Sequence, residues 1–489
     1  MGDKPNVVIP LAFSYNERGS QGFTTTFTDG VDQRKINCIY GIATNPIAGK
    51  TTAYLEKRQG VTVASGDLGT SGQTAYLVSR GAQKTGNAIS DMWVFSVNGS
   101  DIRASDTSTT TTIVTAAGYA PVYVDFTSVS GAEFLVVQLR NASFAQTVWY
   151  SNGIGSFTQI TDGDFTSFTV KGKMEFMDGY AFALSAGGRV YNSDLNSLAN
   201  WTPSNYIAKQ IEQDVPRGLA RLGNRILAFG DKTVEVFANA GNATGSPLVS
   251  LKDQFRRIGL ATVVDVVGRT HYYTTVGGRI YFVGTTRSTG LWSFDGSRFE
   301  KVSTNSIDKI LTNKAGEVIT SFAVRGVQGV AIAMDGPSDA TQRWLMFFPE
   351  WNDWFEFHST VFRPANDDPF FLGVGSNQHK LYSFIGSETY QDNGTDYTVT
   401  VQFKIPSDGN HRKFMSMCGV IGDTARAASN LGVSFSDDDY QTFSTARNID
   451  MTSGQKMITR CGSYRDRVVK LTHTGNTPLR LEKFVARVS

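Results

Sequence analysis

The sequence is poor in the residues from which catalytic and metal sites are most often built. Its 489 residues include only three cysteines and five histidines. Cys38, Cys418 and Cys461 are scattered and odd in number, so they predict neither a disulfide framework nor a CxxC metal motif, and we expect small buried apolar residues. The histidines form no HExxH motif, and the chain has no GxSxG elbow. We therefore predict no catalytic residue, no cofactor and no metal.

An excess of charge of one sign and long apolar runs are also missing. Lys and Arg total 46 against 44 Asp and Glu, which gives a net charge of +2. This balance is not typical of a protein that grips nucleic-acid phosphates. No apolar run reaches the roughly 18 residues of a membrane helix, and the N-terminus has no apolar signal region. We expect a soluble protein made in a reducing cytoplasm.

Glycine is abundant, with 49 residues against 13 prolines, and no Gly-X-Y period points to collagen. Short segments rich in Val, Ile, Tyr, Phe and Thr alternate with dipeptides that favour positive φ, which predicts antiparallel hairpins and an all-β fold. The predicted turns are Asn98-Gly99, Asn152-Gly153, Asp162-Gly163, Asp178-Gly179, Gly223-Asn224, Gly277-Gly278, Asp295-Gly296 and Asn393-Gly394.

Helical periodicity is sparse. Ile307, Ile310 and Leu311 have helical spacing after possible caps, and a second short helix is predicted over 205–213. Residues 44–51 resemble a phosphate-binding loop, but the first Gly is missing and the next residues have a strand pattern. We predict a turn into a strand there.

Hairpins that carry an aromatic residue recur unevenly every few tens of residues, as in GGRVY at 187–191 and GGRIY at 277–281. This recurrence predicts a β-propeller with inserted hairpins and a smaller β platform domain; a double sandwich is the alternative. We assign residues 61–390 to the propeller. Residues 1–60 are expected to join the platform or close the propeller, and 391–489 to form a C-terminal β domain or a last blade with the platform.

The segment SDDDYQTF at 436–443 is close to the Asp-box, Ser-x-Asp-x-Gly-x-Thr-Trp, of propeller hairpins. Ser436, Asp438, Thr442 and Phe443 occupy pattern positions, while Tyr440 replaces the Gly. We predict a structural turn. The alternative is glycan processing with nearby carboxylates, although no acid and nucleophile pair can be assigned from the spacing.

Residues 344–357 form the densest aromatic cluster. The cluster could be a carbohydrate-stacking platform or a protein interface. Its partial alternation favours two strands about an Asn-Asp turn, with the rings in the core.

Several short segments, in order, resemble the packaged-DNA stabilisation or tail nozzle proteins of short-tailed bacteriophages. They are DQRKINC (32–38), NPIAGK (45–50), YLEKR (54–58), GLARL (218–222), ILAFG (226–230), TVEVF (233–237), IGL (258–260), LWSFDG (291–296), VSTNSI (302–307), FSDDDYQTF (435–443) and YRDRV (464–468). The resemblance extends from about residue 29 to residue 475.

The resemblance implies a non-enzymatic virion protein of the tail, built on a β-propeller and assembled as a ring homo-oligomer, commonly a hexamer. Its implied partners are the portal and adaptor proteins, tail fibres or spikes, and double-stranded DNA that passes through the lumen without sequence specificity. A channel through which DNA slides should avoid a strongly basic lining, so we expect a near-neutral or acidic lumen.

Two other functions stay open: a glycan-active propeller hydrolase, such as a depolymerase or sialidase-like enzyme, and a receptor-binding module. The hydrolase needs a pocket with two carboxylates roughly 5 to 9.5 Å apart, whereas the nozzle needs large, flat interfaces.

Overall fold

The computed structural model confirms the all-β class, with 60% of the chain in strands and 4% in helices. The structure describes residues 7–12, 34–45, 50–63, 77–81, 92–96, 101–105, 110–115, 118–129, 131–141, 143, 145–152, 157–242, 244–261, 272–313, 318–324, 326–335, 341–364, 370–373, 380–384, 389–405, 411–438 and 440–489.

The chain divides into two compact units. The propeller unit comprises Val63–Ala340 and Phe362–Ser383, and the platform unit comprises Met1–Thr62, Thr341–Val361 and Phe384–Ser489. The platform unit is therefore assembled from three separate segments of the chain. The boundaries predicted at residues 60 and 390 stay predictions.

Five antiparallel sheets follow one another along the propeller unit, and each is built from strands that are neighbours in sequence. Sheet 1 contains Leu77–Gly81, Met92–Ser96, Asp101–Ser105 and Thr110–Thr115; sheet 2 contains Tyr119–Val129, Ala132–Asn141, Gln146–Ser151 and Thr158–Gln159; sheet 3 contains Val170–Met177, Tyr180–Ser185, Arg189–Ser193 and Trp201–Ala208; sheet 4 contains Pro216–Leu222, Arg225–Gly230, Val234–Asn239 and Leu248–Ser250; sheet 5 contains Gly259–Leu260, Tyr273–Val276, Arg279–Thr285, Thr289–Phe294 and Phe299–Lys301.

The remaining elements of the propeller unit follow sheet 5 or connect the sheets. The helices are Gly163–Thr166, the 3₁₀ turn Lys252–Gln254 and Asn305–Asn313; the strands are the hairpin Ile319–Val324 and Val327–Ala333, and the set Phe362–Pro364, Phe370–Gly373 and Leu381–Ser383. The short strand Thr62–Val63 spans the point in the sequence where the platform unit passes into the propeller unit.

Sheets 2, 3 and 4 each bury both of their faces against the sheets before and after them. In the strand Arg225–Gly230, Ile226 and Ala228 pack toward sheet 3, while Leu227 and Phe229 pack toward sheet 5. Because successive side chains of a strand point to opposite faces, this two-sided burial requires the continuous apolar run ILAF. Four such cores join sheets 1 to 5 in sequence, and the first strands of sheets 1 to 4 lie beside one another in the same order. This is the radial packing expected of propeller blades.

The platform unit contains two larger sheets and a hairpin. The first sheet contains, in order, Cys38–Asn45, Lys50–Lys57, Arg480–Val488, Lys413–Gly422 and Met457–Thr459, with Val7–Pro10 paired to Arg480–Val488 and Ser463–Tyr464 paired to Lys413–Gly422; the second contains Gln342–Phe348, Asp353–Ser359, Arg34–Ile36, Val399–Lys404, Val468–His473, Asn430–Ser436 and Arg447–Asp450; the hairpin contains Gln391–Asp392 and Thr395–Asp396.

Several predicted turns have the expected backbone. Both residues of Asp178-Gly179, Gly277-Gly278 and Asn393-Gly394 have positive φ, as tight hairpin turns require. Asp162-Gly163 was wrongly predicted as a hairpin turn: Asp162 caps a helix, and its Oδ1 accepts from the backbone N–H of Asp164 at 2.9 Å. Asn98-Gly99 and Gly153 lie outside the described residues.

The helix predicted around residue 307 is confirmed as Asn305–Asn313. The helix predicted over 205–213 is wrong, because most of its first half belongs to the strand Trp201–Ala208, where Tyr206 and Ile207 pair with Tyr191 and Val190. Pairing with the neighbouring strand outweighs the weak helical spacing of this segment.

Two other sequence interpretations concern the platform unit. The phosphate-loop-like segment passes into the strand Lys50–Lys57, as predicted, while residues 46–49 lie outside the described part. The aromatic cluster forms the paired strands Gln342–Phe348 and Asp353–Ser359, with Asn352 at positive φ between them. Trp344 and Trp354 are buried, which favours the core interpretation over a stacking platform.

Candidate functional sites

The Asp-box-like turn follows the strand Asn430–Ser436 in the platform unit. The Ser436 hydroxyl donates to Asp438 Oδ1 at 2.7 Å, and the backbone N–H of Thr442 donates to the same oxygen at 2.9 Å. The Thr442 hydroxyl donates to the other carboxylate oxygen, and Tyr440 N–H donates to Ser436 Oγ at 3.0 Å. The structure therefore brings Ser436, Asp438 and Thr442 together in one closed turn.

These hydrogen bonds determine the charge of Asp438. The hydroxyls of Ser436 and Thr442 and the backbone N–H of Thr442 stabilise the carboxylate, and they lower its pKa to about 2. A carboxyl group held in its ionised form is poorly suited to act as a general acid at neutral pH. The electrostatics of Asp438 thus favour the structural interpretation of this turn; Asp439 lies outside the described residues.

Tyr440 shows where this sequence departs from the Asp-box pattern. Its φ is 71°, in the left-handed region, at the position where the pattern has Gly. Side chains with a Cβ are disfavoured in this region, which explains the Gly of the pattern. This chain keeps the turn and accepts the strain of a bulky residue.

The two residues beside the turn core have separate partners. Phe443 is partly buried, and the ammonium group of Lys470 lies 4.5 Å from its ring centroid. Asp437 forms a two-pronged ion pair with Arg467, with both N–O distances at 2.7 Å. The Arg467 guanidinium lies 4.4 Å from the centroid of the Tyr464 ring. The acidic run thus anchors its turn to the strand that begins at residue 468.

A buried ion pair in the platform unit was not identified from the sequence. Arg58 is 0% and Asp392 2% exposed, and their two hydrogen bonds measure 2.8 and 2.7 Å. Arg58 also donates to Asn37 Oδ1 at 3.1 Å and stacks 3.8 Å from the centroid of Tyr397. Burial alone would lower the pKa of Arg58, but the carboxylate raises it overall. The pair links chain segments that are 334 residues apart.

A second polar group lies in the same unit, around Glu356. Arg34 Nε donates to Glu356 Oε1 at 2.7 Å, and the His358 ring lies 3.1 Å from Oε2. Burial would raise the pKa of Glu356, but His358 and Arg34 lower it to about 2. The neighbouring residues Lys35 and Asp353 form a further ion pair that is almost fully buried. These groups hold the N-terminal strand Arg34–Ile36 to Asp353–Ser359, its parallel neighbour.

The inner strands of the propeller unit bring a polar cluster together. The Tyr273 hydroxyl of sheet 5 donates to Glu175 Oε1 of sheet 3 at 2.6 Å. Lys173 Nζ lies 3.3 Å from Glu175 Oε1, 4.3 Å from the Tyr273 ring and 5.1 Å from the Tyr123 ring of sheet 2. Side chains from three sheets therefore meet between their inner strands, which line the central channel of a propeller.

Close backbone contact accompanies this cluster. A Cβ built on Gly172 of sheet 3 would lie 2.7 Å from the Cα of Gly218 in sheet 4, so neither position has room for a larger residue. The Tyr272 hydroxyl donates to the carbonyl of Leu219 beside them. The GLAR segment therefore begins with a Gly because the inner strands of two sheets nearly touch there.

Within the described ranges, no three His, Cys, Asp or Glu side chains are placed to hold a metal ion. Of the described histidines, His473 is buried, and its Nε2 lies 2.9 Å from Ser429 Oγ and 3.1 Å from Thr477 Oγ1. Burial, together with the charge of Lys57, lowers the pKa of His473 to about 4. The buried polar groups described above thus join strands to one another. Among the same residues, no helix is long and apolar enough to cross a membrane.

Comparison with known proteins gives one family. A family model described as "Bacteriophage P22 Gp10, beta-propeller", of the phage-stabilisation type, matches residues 49–324, which is more than half of the chain. No curated protein sequence matches significantly.

Solved structures with a similar course of the chain include three at a TM-score of 0.39. The computationally designed Ika8 protein is 10% identical over 67% of this chain and 100% of its own. A chain of the mitotic checkpoint complex is 10% identical over 67% of this chain and 95% of its own. Raptor of Chaetomium thermophilum is 11% identical over 67% of this chain and 28% of its own. Similarity at this level carries no conclusion about function.

Proposed function

The chain belongs to the phage-stabilisation family of β-propeller proteins typified by P22 Gp10, and from this premise we propose that it is a tail nozzle subunit. In this proposal, copies of the chain form a ring beneath the portal and adaptor proteins of a short-tailed phage. The ring retains the packaged double-stranded DNA and conducts it during ejection. The family match is the observation that carries the proposal.

The inner strands of the propeller unit support a conduit that lies between chains. Lys173, Glu175 and Tyr273 meet within 5 Å of one another where the inner strands converge. A DNA duplex, whose major groove alone is about 12 Å wide, cannot pass through a centre filled in this way. A lumen for DNA therefore requires several copies around a common axis, which we propose to be a hexamer.

The charge of the chain fits a passage that does not hold its cargo. Each phosphate neutralised by Lys or Arg releases counterions and strengthens binding, so a basic lining would slow a sliding genome. The net charge of +2 on 489 residues allows a near-neutral or acidic lumen. We propose that tail fibres or spikes bind the outside of the ring, and that the chain is made in the host cytoplasm before it joins the virion tail.

The proposal is tested first by mass. The purified chain is measured by native mass spectrometry alone and after mixing with the portal and adaptor complex, and a ring of uniform copy number is expected on the complex. A chain that stays monomeric under both conditions and cleaves polysaccharide would support the hydrolase alternative and refute the nozzle.

DNA retention is tested in particles. Phage that carry a stop codon in the gene for this chain should package DNA and then lose it. The amount of DNase-resistant DNA per capsid should therefore fall. Supplying the intact chain should restore retention. Mutant particles that keep their genomes as well as the wild type would contradict the proposed role.

A further inference from the structure

Two of the three cysteines lie together inside the platform unit. The sulfur atoms of Cys418 and Cys461 are 3.6 Å apart, and both side chains are buried as free thiols. Cys418 lies in the strand Lys413–Gly422. Cys461 lies between the short strands Met457–Thr459 and Ser463–Tyr464, both of which pair with Lys413–Gly422. A disulfide requires about 2.0 Å between the sulfurs, so a shift of about 1.5 Å would suffice.

The backbone around the two thiols is held in register. Cys461 N–H donates to the Met415 carbonyl at 3.1 Å, and Met415 N–H donates to the Gly462 carbonyl at 2.9 Å. Arg460 N–H donates to the Ser416 carbonyl at 2.8 Å. The two segments are thus neighbours along several residues, and their paired backbones hold the two cysteines near one another.

The surroundings favour reaction at Cys461. A hydrogen bond from Cys418 stabilises the Cys461 thiolate, and the positive charges of Arg447 and Arg467 act in the same direction, so that the pKa of Cys461 is lowered. The same hydrogen bond and burial raise the pKa of Cys418. Because the thiolate is the nucleophile in disulfide exchange, Cys461 is the thiol expected to react first.

We propose that Cys418 and Cys461 form a disulfide when the protein meets a disulfide oxidant. The Cys461 thiolate attacks one sulfur of the oxidant, such as oxidised glutathione, and releases one reduced glutathione. The Cys418 thiolate then attacks the Cys461 sulfur and displaces the second glutathione. The two cysteines lose two electrons and two protons, and the oxidant takes up both.

The cross-link would close a long loop. Residues 418–461 include the strands Asn430–Ser436, Arg447–Asp450 and Met457–Thr459, together with the Asp-box-like turn. A disulfide restricts the unfolded chain more strongly as its loop lengthens. The bond would therefore stabilise the part of the platform unit that carries this turn, in a chain that is synthesised with reduced thiols.

Intact mass and peptide mapping test the proposal on the full chain. The reduced protein is incubated with oxidised glutathione, denatured, and alkylated with N-ethylmaleimide. We expect a loss of about 2 Da from the two departing hydrogens, one alkylated thiol at Cys38, and a tryptic cross-link between peptides 414–426 and 461–465. Three alkylated thiols, a persistent glutathione adduct, or a cross-link to Cys38 would each overturn the proposal.

Serine variants provide the controls. The midpoint of thermal unfolding should rise on oxidation and fall back on reduction in the wild type and in Cys38→Ser. It should not rise in Cys418→Ser or Cys461→Ser. A rise of equal size in Cys461→Ser would show that oxidation acts elsewhere and would contradict the assignment.

Discussion

Replacing Asp392 with Asn should strongly lower the free energy of unfolding of the platform unit, because it leaves the Arg58 guanidinium buried without a counter-charge. Asp392 is 2% exposed and accepts two hydrogen bonds from Arg58, at 2.8 and 2.7 Å, and a third from Ser359 Oγ at 3.0 Å. The Asn side chain has the same shape, but it would turn an NH₂ group toward a group that can only donate.

The expected magnitude follows from the burial of both partners. Removing one member of a fully buried ion pair costs about 3–5 kcal/mol, whereas breaking an exposed pair costs less than about 1 kcal/mol. The platform unit contains a matched exposed pair, Arg480 and Asp423, at 3.2 Å with 38% and 61% exposure. Asp423→Asn should therefore change the free energy of unfolding by less than about 0.5 kcal/mol.

Urea unfolding at neutral pH, followed by tryptophan fluorescence, measures both variants beside the wild type. The double replacement Arg58→Met with Asp392→Leu should cost less than the sum of its single changes, since no buried charge is left unpaired. If Asp392→Asn lowered the unfolding midpoint no more than Asp423→Asn does, the buried pair would not stabilise the unit as argued.

Three further changes have expected outcomes of their own. Gly259→Ala should destabilise the propeller unit by about 1–3 kcal/mol in urea unfolding, because the added Cβ would lie 1.9 Å from the Asp231 carbonyl oxygen. The control Gly163→Ala should be neutral, since its Cβ would meet nothing within 4 Å. Equal losses of stability in the two variants would contradict the close contact at Gly259. The Tyr440→Gly variant should be more stable than Tyr440→Ala by about 1–2 kcal/mol, because φ at this position is 71°. At the neighbouring position, Gln441→Ala should be at least as stable as Gln441→Gly. If Gly were the more stable choice at both positions, the backbone strain assigned to Tyr440 would be refuted. His473 binds a proton near pH 6.5 in the unfolded chain but only near pH 4 in the folded chain, so the urea midpoint should fall as the pH drops through this range. His473→Gln should make this fall smaller. If the variant showed the same dependence of the urea midpoint on pH as the wild type, His473 would not be its source.

The sequence predicted local structure best where one residue type has one physical use. Gly277-Gly278 and Asn393-Gly394 could be recognised as turns because their backbone needs positive φ, which few other residues adopt. Asp162 was misread because the same short acidic side chain serves both in turns and at helix N-termini. The strand Trp201–Ala208 was missed because its conformation depends on the neighbouring strand.

The candidate sites divide in the same way. The Asp-box-like residues lie within eight positions of one another, so their pattern is visible in the chain, although the left-handed Tyr440 was seen only as a departure from the motif. The pair Arg58 and Asp392 and the sulfur contact of Cys418 and Cys461 join residues 334 and 43 positions apart. Spacing carries no information over such distances, and only the folded sheet brings these side chains together.

The polar contacts of the propeller unit bear directly on where DNA could pass. If the central channel of one propeller served as the conduit, small residues would have to keep it open, and the glycines at 172 and 218 would be the natural candidates. Instead, a Cβ on Gly172 would meet the backbone of Gly218, and Lys173, Glu175 and Tyr273 fill the adjacent space. The glycines therefore bring inner strands together. A propeller packed in this way is suited to act as a rigid wall, which supports the proposal that DNA passes along surfaces that several copies present to a shared axis.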